Sequence, residues 1–349
     1  MADVTRWVRS SVRGMEVPEY GEPVDGALRL DANTNLLGPN PVLARFGRGL
    51  RSVDVAQYPS GNSDPLREAL SDLWRVPVGS IVVGNGSDEI IDLCAKAFVE
   101  PGSVVAWPAP SFVMYGFSGR VHMGRTAPVP LREDWSLDVP GLLAARARLT
   151  FVASPNNPTG NRFPEGDLDR LARKTRGVVV VDEAYAEFCG QEWTRKALRY
   201  ANVIAMRTLS KAYGLAGLRV GYAVARRELA EALLAVKAPF NVGGIPEAIA
   251  AVAVRDQGHV RRTVEMVTRE RPRLATGLER LGFVVWPSEA NFVLARSPVP
   301  TRGLLARLRK RGILLKDVGH VPGLANCVRV TVGPSRVTHR FLSTLEEVM

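Results

Sequence analysis

The sequence predicts an α/β protein in which helices cover both faces of a mostly parallel sheet, followed by a smaller α+β domain. Two observations carry this prediction. Up to about residue 256, short runs of β-branched residues alternate with amphipathic stretches, which is the pattern of strands separated by helices. Beyond that point a long helical stretch precedes several short strand-like runs, so the alternation ends and a different architecture begins.

Six continuous apolar runs in the first part of the chain predict strands. They lie at 80–85, 103–107, 148–154, 177–184, 202–208 and 220–225. Between them, the stretches at 87–100 and 165–175 have the apolar spacing of amphipathic helices. Because continuous apolar strands are buried on both faces, and parallel strands need crossover helices, we expect a mostly parallel sheet with helices on each side.

The last part of the chain predicts the small domain. A helical stretch over 257–281 is followed by strand-like runs and by a helix near 301–311. The first 40 residues are rich in Pro, Gly and Asn, and we expect them to pack on the small domain or across the cleft. The predicted division is 1–40 for the N-terminal segment, 41–256 for the large domain and 257–349 for the small C-terminal domain.

The charge of the chain raises nucleic acid as a partner, but the distribution of that charge argues against it. The net charge is +11 and the pI about 10, yet the basic residues are scattered. The densest cluster, "ARLRKRG" at 306–312, has leucines on its other side and is typical of a solvated helix face. We predict no nucleic-acid partner, and a non-catalytic nucleic-acid-binding protein on the same fold stays a remote alternative.

Cysteine usage and hydropathy favour the cytoplasm. The three cysteines are far apart and form no CxxC or Cys/His spacing, so neither a disulfide framework nor a metal site is predicted. The N-terminus has no signal-peptide pattern, and no apolar run approaches the roughly 18 residues of a membrane span. We expect a cytoplasmic protein without a membrane partner.

Unusual residues follow four of the predicted strands. They are the stretch "GNGSD" at 84–88, "NNPTG" at 156–160, Asp182, and "TLSK" at 208–211. Because the carboxyl ends of parallel strands meet at one edge of the sheet, where ligands bind, we expect these residues to converge.

Each of these stretches has an alternative, purely structural interpretation. Lys211 is one of seven lysines among 46 basic residues; a desolvated amine there is a nucleophile for a carbonyl, whereas most lysines are simply solvated. The small residues before 87–100 open a helix whose bare amides favour a phosphate, or else Ser87 only caps that helix. Asp182, after four valines, either caps a helix or faces a buried cation such as a protonated pyridine ring.

Two arginines complete the set. Arg219 lies eight residues after Lys211 and could pair with a phosphate in bidentate fashion. Arg329, within the apolar strand "CVRVTVG" at 327–333, needs an anion, which is either a ligand or a structural carboxylate. Together, an amine, a phosphate cradle, an acid for a ring nitrogen and an arginine for a substrate anion describe pyridoxal 5′-phosphate bound covalently to a lysine.

Four motifs give the sequence a resemblance to a known family. In order they are "SPNNPTG" (154–160), "VVVDEAYAEF" (179–188), "TLSKAYGLAGLRVGY" (208–222) and "CVRVTVG". They resemble fold-type I pyridoxal-phosphate-dependent aminotransferases, and among these the histidinol-phosphate aminotransferase group, from about residue 30 to the end. The resemblance implies a seven-stranded sheet in the large domain.

The resemblance also implies residue roles around the cofactor. Lys211 binds the cofactor covalently and then moves the proton between the substrate Cα and the cofactor C4′. Asp182 pairs with the pyridine nitrogen, Asn157 and Tyr185 bind the phenolic oxygen, and Phe112 stacks on the ring. The phosphate is held by Gly86, Ser87, Asp88, Thr208, Ser210 and Arg219. Tyr58 is similar to the tyrosine that reaches the phosphate of a neighbouring subunit, which implies a homodimer.

On the substrate side the resemblance implies two contacts and includes three departures. Arg329 grips the substrate carboxylate or phosphate, and Tyr20 covers the substrate. Relatives usually have Asn-Glu-Asn-Pro where this chain has residues 33–36 "NTNL", which includes Asn35 and lines the cleft. Lys316 stands where many relatives have arginine, as a possible second phosphate contact without the arginine fork. Pro334 follows Gly333 where threonine is common.

The expected function is transamination of L-histidinol phosphate with 2-oxoglutarate in histidine biosynthesis. An aromatic or specialised amino acid as donor, and decarboxylation of a phosphorylated amino acid as in threonine-phosphate decarboxylase, are the alternatives, because one carbanion-stabilising site serves all of them.

Overall fold

A computed structural model describes residues 4–16, 26–47 and 53–349. The strands are β1 Leu28–Arg29, β2 Ile81–Asn85, β3 Val104–Ala109, β4 Arg125–Pro130, β5 Leu149–Ala153, β6 Val178–Asp182, β7 Val203–Thr208, β8 Val220–Ala225, β9 Val284–Val285, β10 Phe292–Arg296, β11 Ile313–Leu314, β12 Lys316–Asp317 and β13 Cys327–Thr331. The α-helices are α1 Val42–Phe46, α2 Asp64–Trp74, α3 Gly86–Phe98, α4 Met114–Val121, α5 Val139–Ala144, α6 Glu165–Lys174, α7 Arg227–Val236, α8 Gly244–Arg255, α9 Gly258–Arg280, α10 Thr301–Lys310 and α11 Ser335–Val348. Short 3₁₀ turns connect several of these elements.

The large sheet has seven strands in the order β2-β8-β7-β6-β5-β3-β4. Neighbouring strands from β7 to β4 pair in parallel, and β8 runs antiparallel to both of its neighbours. Since β2 therefore runs in the same direction as β7, the carboxyl ends of β2, β3, β5, β6 and β7 meet at one edge. The predicted mostly parallel, seven-stranded sheet is confirmed.

The six apolar runs predicted as strands correspond to β2, β3 and β5 to β8. The alternation did not indicate β4, "RTAPVP", which has three exposed and three half-buried residues and includes two prolines. Proline has no backbone N–H to bond a neighbouring strand, so it is tolerated at a sheet edge, where no further strand needs that donor. Strand β4 lies at one edge of this sheet.

Helices cover both faces of the large sheet. Successive strand residues point to opposite sides, so each strand presents apolar side chains to both layers of helices. On one face Phe151 and Val180 pack with buried side chains of α3, α4 and α7. On the other face Val152 and Val181 pack with buried side chains of α5 and α6. The sheet is therefore buried on both sides, as its apolar strands require.

A second sheet has four strands in the order β12-β13-β10-β9, all paired antiparallel. In addition, β1 pairs in parallel with β11 through Leu28 and Ile313. The N-terminal stretch is thus tied to the C-terminal part of the chain. The domain boundaries at 40 and 256 stay predictions, since a sheet's extent does not define a domain's limits.

No helix in the described ranges combines the length and the apolar character needed to cross a membrane.

Helix α8 packs on α2 and buries one carboxylate without compensation. The Glu247 side chain is only 4% exposed, and its Oε2 has no hydrogen-bond partner among the residues that the structure describes. Burial, followed by repulsion from Asp64, raises the pKa of Glu247 to about 7. The folded chain therefore holds this proton more tightly than the unfolded chain, whose pKa is near 4.5.

Because the pKa is raised on folding, this group contributes stability at low pH that is lost as pH rises from about 4.5 to about 7. The Glu247→Gln variant should thus be more stable than the parent at pH 8 by about 2 kcal/mol. Thermal unfolding between pH 5 and 8 should show the difference growing with pH. Glu68→Gln, on the exposed face of α2, is the control, and an equal pH response in both variants would contradict the assignment.

Candidate active site

A cavity of about 350 Å³ lies at the carboxyl edge of the large sheet. It brings together most of the residues predicted from the sequence, namely Ser87, Asp88, Phe112, Asn157, Asp182, Tyr185, Thr208, Ser210, Lys211, Arg219 and Arg329. They come from stretches that are distant in the sequence but adjacent at this edge, because the strands that precede most of them run in the same direction.

Asp182 is the last residue of β6 and lies buried within this cavity. Its Oδ2 accepts a hydrogen bond of 2.6 Å from the hydroxyl of Tyr115, and its Oδ1 accepts one of 3.0 Å from the amide of Ala184. Burial raises the pKa of Asp182 to about 6, while these two hydrogen bonds oppose the shift. A buried carboxylate without a cation partner is suited to accept one from a ligand.

Lys211 projects into the same cavity from the turn after β7. Its Nζ donates to the carbonyl of Ala32 over 3.1 Å and lies 5.8 Å from the ring centre of Tyr185. The Tyr185 hydroxyl in turn accepts a hydrogen bond of 3.1 Å from Asn33. The amine thus has one acceptor among the described residues and remains close to the aromatic ring, where a carbonyl compound could be attacked.

The amino end of α3 lies along one side of the cavity, where Ser87 and Asp88 line it. Gly86 has φ +76°, and a Cβ there would lie 2.6 Å from the guanidinium of Arg219. A Cβ at Gly221 in β8 would lie 2.5 Å from the amide nitrogen of Ser87. Only glycine at both positions lets β8 and the arginine approach the first turn of α3, whose free amides and dipole favour a phosphate.

Thr208 and Ser210 line the cavity opposite that helix end, and the Thr208 hydroxyl accepts a hydrogen bond of 3.2 Å from the Ser210 amide. Arg219 also pairs with Asp88 over 3.0 Å, with both side chains about half exposed. A phosphate group accepts hydrogen bonds from donors of these kinds, namely two hydroxyls, the helix amides and a guanidinium.

Arg329 enters the cavity from the middle of β13 in the small sheet. It donates to Asn157 Oδ1 and to the carbonyl of Asp31, each over 2.6 Å, while its Nε is buried without a partner. No carboxylate within the described ranges lies within 4.0 Å of it. Burial lowers the pKa of this guanidinium, as expected of a desolvated cation that has no anion beside it.

Tyr58, Asn35 and Lys316 are predicted site residues that do not line the cavity. Tyr58 is 82% exposed and stacks on Phe240 at 4.7 Å, outside the cavity. Asn35 does not line the cavity, because its side chain bonds the carbonyl of Ala212 and the hydroxyl of Thr263. Lys316 is exposed and sits beside Arg329 as its direct partner across β12 and β13. Tyr20 lies outside the described residues.

Two further side chains at the site were not predicted. Tyr115 follows Phe112 by three residues, so both lie near the start of α4, and this spacing was a usable signal. Asn33 contacts the site from the N-terminal stretch, and its own backbone amide donates to Thr331 of β13 over 3.0 Å. Nothing local in the sequence indicates that second contact, since the two residues are 298 positions apart.

The residues present fit a pyridine ring that carries an aldehyde and a phosphate. An amine, a buried carboxylate and an amide-rich helix end occur in one cavity, and these match the three functional groups of pyridoxal 5′-phosphate. The fit is judged from the chemical groups that these side chains present. Among the residues described, no group of His, Cys, Asp or Glu side chains could hold a metal ion.

Comparison with known proteins places the chain in a family. The model of the aminotransferase class I and II family matches residues 26–345. A histidinol-phosphate aminotransferase of Caldanaerobacter subterraneus subsp. tengcongensis is 37% identical over 98% of both chains, and one of Symbiobacterium thermophilum is 38% identical over the same share of each. The crystal structure of histidinol-phosphate aminotransferase from Sinorhizobium meliloti in complex with pyridoxal 5′-phosphate is 28% identical, with a TM-score of 0.86, over 92% of this chain and 90% of that one.

Both the sequence matches and the structural match extend over nearly the whole chain, and they agree with the residues found in the cavity. The chain therefore belongs to the pyridoxal-phosphate-dependent aminotransferases of class I and II, in the histidinol-phosphate aminotransferase group.

Proposed function

We propose that the protein transfers the amino group of L-histidinol phosphate to 2-oxoglutarate, giving imidazole acetol phosphate and L-glutamate, in histidine biosynthesis. The observation that carries the proposal is the position of Arg329. It is a half-buried cation in the cavity that also contains Lys211 and Asp182, and among the described residues its Nε has no hydrogen-bond partner and its guanidinium no carboxylate. A small-molecule amino donor with an anionic end, and a 2-oxo acid acceptor, are the reactants that such a cavity selects.

Pyridoxal 5′-phosphate, when bound, supplies an electron sink for the bond that breaks at the substrate Cα. In this proposal Asp182 holds the ring nitrogen in its charged form, and Phe112 stacks on the ring. Asn157 and Tyr185 bind the phenolic oxygen. The remaining predicted contacts hold the phosphate: Gly86, Ser87, Asp88, Thr208, Ser210 and Arg219.

Lys211 acts as the proton carrier. Among the described residues its Nζ is tethered to the Ala32 carbonyl at 3.1 Å, so the amine could take a proton from the substrate Cα and return it at the carbon on the other side of the substrate nitrogen. The Tyr185 ring beside it limits where the amine can move. A positioned amine contributes to the rate by holding the proton within reach in the reactive geometry.

The substrate anion lies against Arg329 in this proposal. Lys316 adds a second positive charge on the same face of the small sheet, since directly paired strand residues point the same way. We propose Asn157 and Tyr20 as the other substrate contacts, and Asn35 as a residue that acts on the substrate indirectly. Asn35 would act by fixing the N-terminal stretch, because its own amide bonds Ala212 and Thr263.

We also propose that the protein works as a cytoplasmic homodimer, without nucleic acid. Tyr58 and Phe240 form an exposed stacked pair, and Val55 nearby is 77% exposed. Large exposed apolar groups close together are typical of an interface. In this arrangement Tyr58 reaches the phosphate site of the other subunit.

The proposal predicts a preference among amino donors. With 2-oxoglutarate as acceptor, kcat/KM for L-histidinol phosphate should exceed that for tyrosine, phenylalanine or L-threonine phosphate by at least about 10²-fold, because only a donor that fills the anion site and the ring site makes both sets of contacts. Glutamate formation is the measurement. A faster reaction with tyrosine would show that the proposed amino donor is wrong. Release of CO₂ from threonine phosphate would show that the protein is a decarboxylase rather than an aminotransferase.

A further inference from the structure

Asp182 accepts a hydrogen bond from a side chain that has no role in the function proposed above. The Tyr115 hydroxyl donates to Asp182 Oδ2 over 2.6 Å. Within the part of the chain that the structure describes, no lysine, arginine or histidine lies within ion-pair distance of this carboxylate. Tyr115 is therefore the one side chain there that hydrogen-bonds Asp182.

Packing fixes the direction of that hydroxyl. Tyr115 is fully buried, and its ring stacks on Phe151 at 4.8 Å with an interplanar angle of 4°. The Phe112 ring meets it edge-on at 5.8 Å. Aromatic rings held in this way have few alternative rotamers, so the hydroxyl stays directed at the carboxylate.

We propose that Tyr115 is a positioning residue that keeps Asp182 ionised and oriented for the ring nitrogen of the cofactor. The proposal rests on the function proposed above, in which Asp182 is the partner of that nitrogen. A hydrogen bond donated to a carboxylate favours its charged form, and a phenol whose own proton is firmly held keeps donating to it. Burial and the charge of Asp182 raise the pKa of Tyr115 well above its usual value, so it remains such a donor.

Several influences around Asp182 oppose its ionisation, and the Tyr115 hydroxyl acts against them. Burial, with like charge on Asp88 and Glu183, raises the pKa of the carboxyl, while the Tyr115 hydroxyl and the Ala184 amide lower it. Lys211 and Arg219 line the same cavity, and Arg219 is engaged with Asp88. Without the hydroxyl, the pKa of Asp182 should rise by about one to two pH units, the size of a charge-assisted hydrogen bond.

The test uses the Tyr115→Phe variant, which removes one oxygen and keeps the ring. The pH dependence of cofactor binding is measured by titrating the full chain with pyridoxal 5′-phosphate and with an analogue in which a carbon replaces the ring nitrogen. We expect the acid-side midpoint for the natural cofactor to move up by about one to two pH units, and affinity at pH 7 to fall by about 2- to 10-fold. The analogue has the same phosphate but no ring nitrogen, so its binding should not change.

The matched control is Tyr200→Phe, since Tyr200 also donates to a carboxylate, Asp169, far from the cavity. It should leave both titrations unchanged. Thermal unfolding of Tyr115→Phe shows whether the fold is retained. A double variant with Asp182→Asn should bind the natural cofactor no more weakly than Asp182→Asn alone, because the hydroxyl acts through that carboxylate.

Equal acid midpoints in Tyr115→Phe and the parent, or an equal loss of affinity for the analogue, would reduce Tyr115 to a packing residue. If Asp182→Asn alone fails to distinguish the natural cofactor from the analogue, the role proposed for Asp182 is wrong. These two failures are therefore distinguishable.

Discussion

The Lys211→Ala variant is expected to lose amino-transfer activity by at least about 10⁴-fold, because one side chain supplies both the covalent link and the proton transfer. Its Nζ is the only lysine amine among the residues lining the cavity. No neighbouring side chain can therefore replace it at this distance. Glutamate formation from histidinol phosphate is the measurement.

The covalent link gives a second readout for the same variant. Borohydride reduction of the parent protein with its cofactor should leave the cofactor's mass on the peptide that contains Lys211, and the variant should carry none. Lys96→Ala, in the exposed part of α3, should retain both the label and the activity. Label on another lysine in the parent would place the covalent attachment elsewhere.

The Arg329→Gln variant is expected to lower kcat/KM for histidinol phosphate by about 10²- to 10³-fold, which corresponds to removing one partner of a buried charge pair. The glutamine retains a donor for Asn157 but carries no charge, so the substrate anion is left without a counterion in a desolvated site. Arg329→Lys should recover part of the loss, since a point charge remains without the fork geometry.

A donor without the anionic group separates substrate binding from structural damage. L-histidinol, which lacks the phosphate, should react slowly with the parent and be affected far less by Arg329→Gln. Arg302→Gln, in the exposed face of α10, is the control for loss of a positive charge. An equal loss for both donors would mean that Arg329 supports the structure rather than the substrate anion.

The sequence predicted the parts of the fold that are encoded by continuous burial. Strands such as "VVVVD" are apolar along their whole length because helices cover both faces. Their common direction then brought Asp182 and Lys211 to one edge. The edge strand β4 was missed because one side of it faces no neighbour, so its residues are exposed and two prolines are tolerated.

Contacts between distant parts of the chain were not predictable in the same way. The hydrogen bond from Tyr115 to Asp182 depends on how α4 sits against β6, and the local spacing with Phe112 only suggests it. Asn33 and Asn35 are two positions apart in a short motif, yet one bonds Tyr185 at the site and the other bonds Thr263 on α9. Which side chain faces the cavity is decided by backbone geometry that the one-dimensional pattern does not contain.

The pairing of β1 with β11 has a consequence for synthesis on the ribosome. The Asn33 amide donates a hydrogen bond to Thr331, 298 residues later in the sequence. Leu28 likewise pairs with the distant Ile313. The stretch around β1 therefore stays without these partners until β11 and β13 have been synthesised. Closing so long a loop is slow relative to local folding, so we expect the large sheet to assemble first and the cavity, which Arg329 of β13 enters, to be completed afterwards.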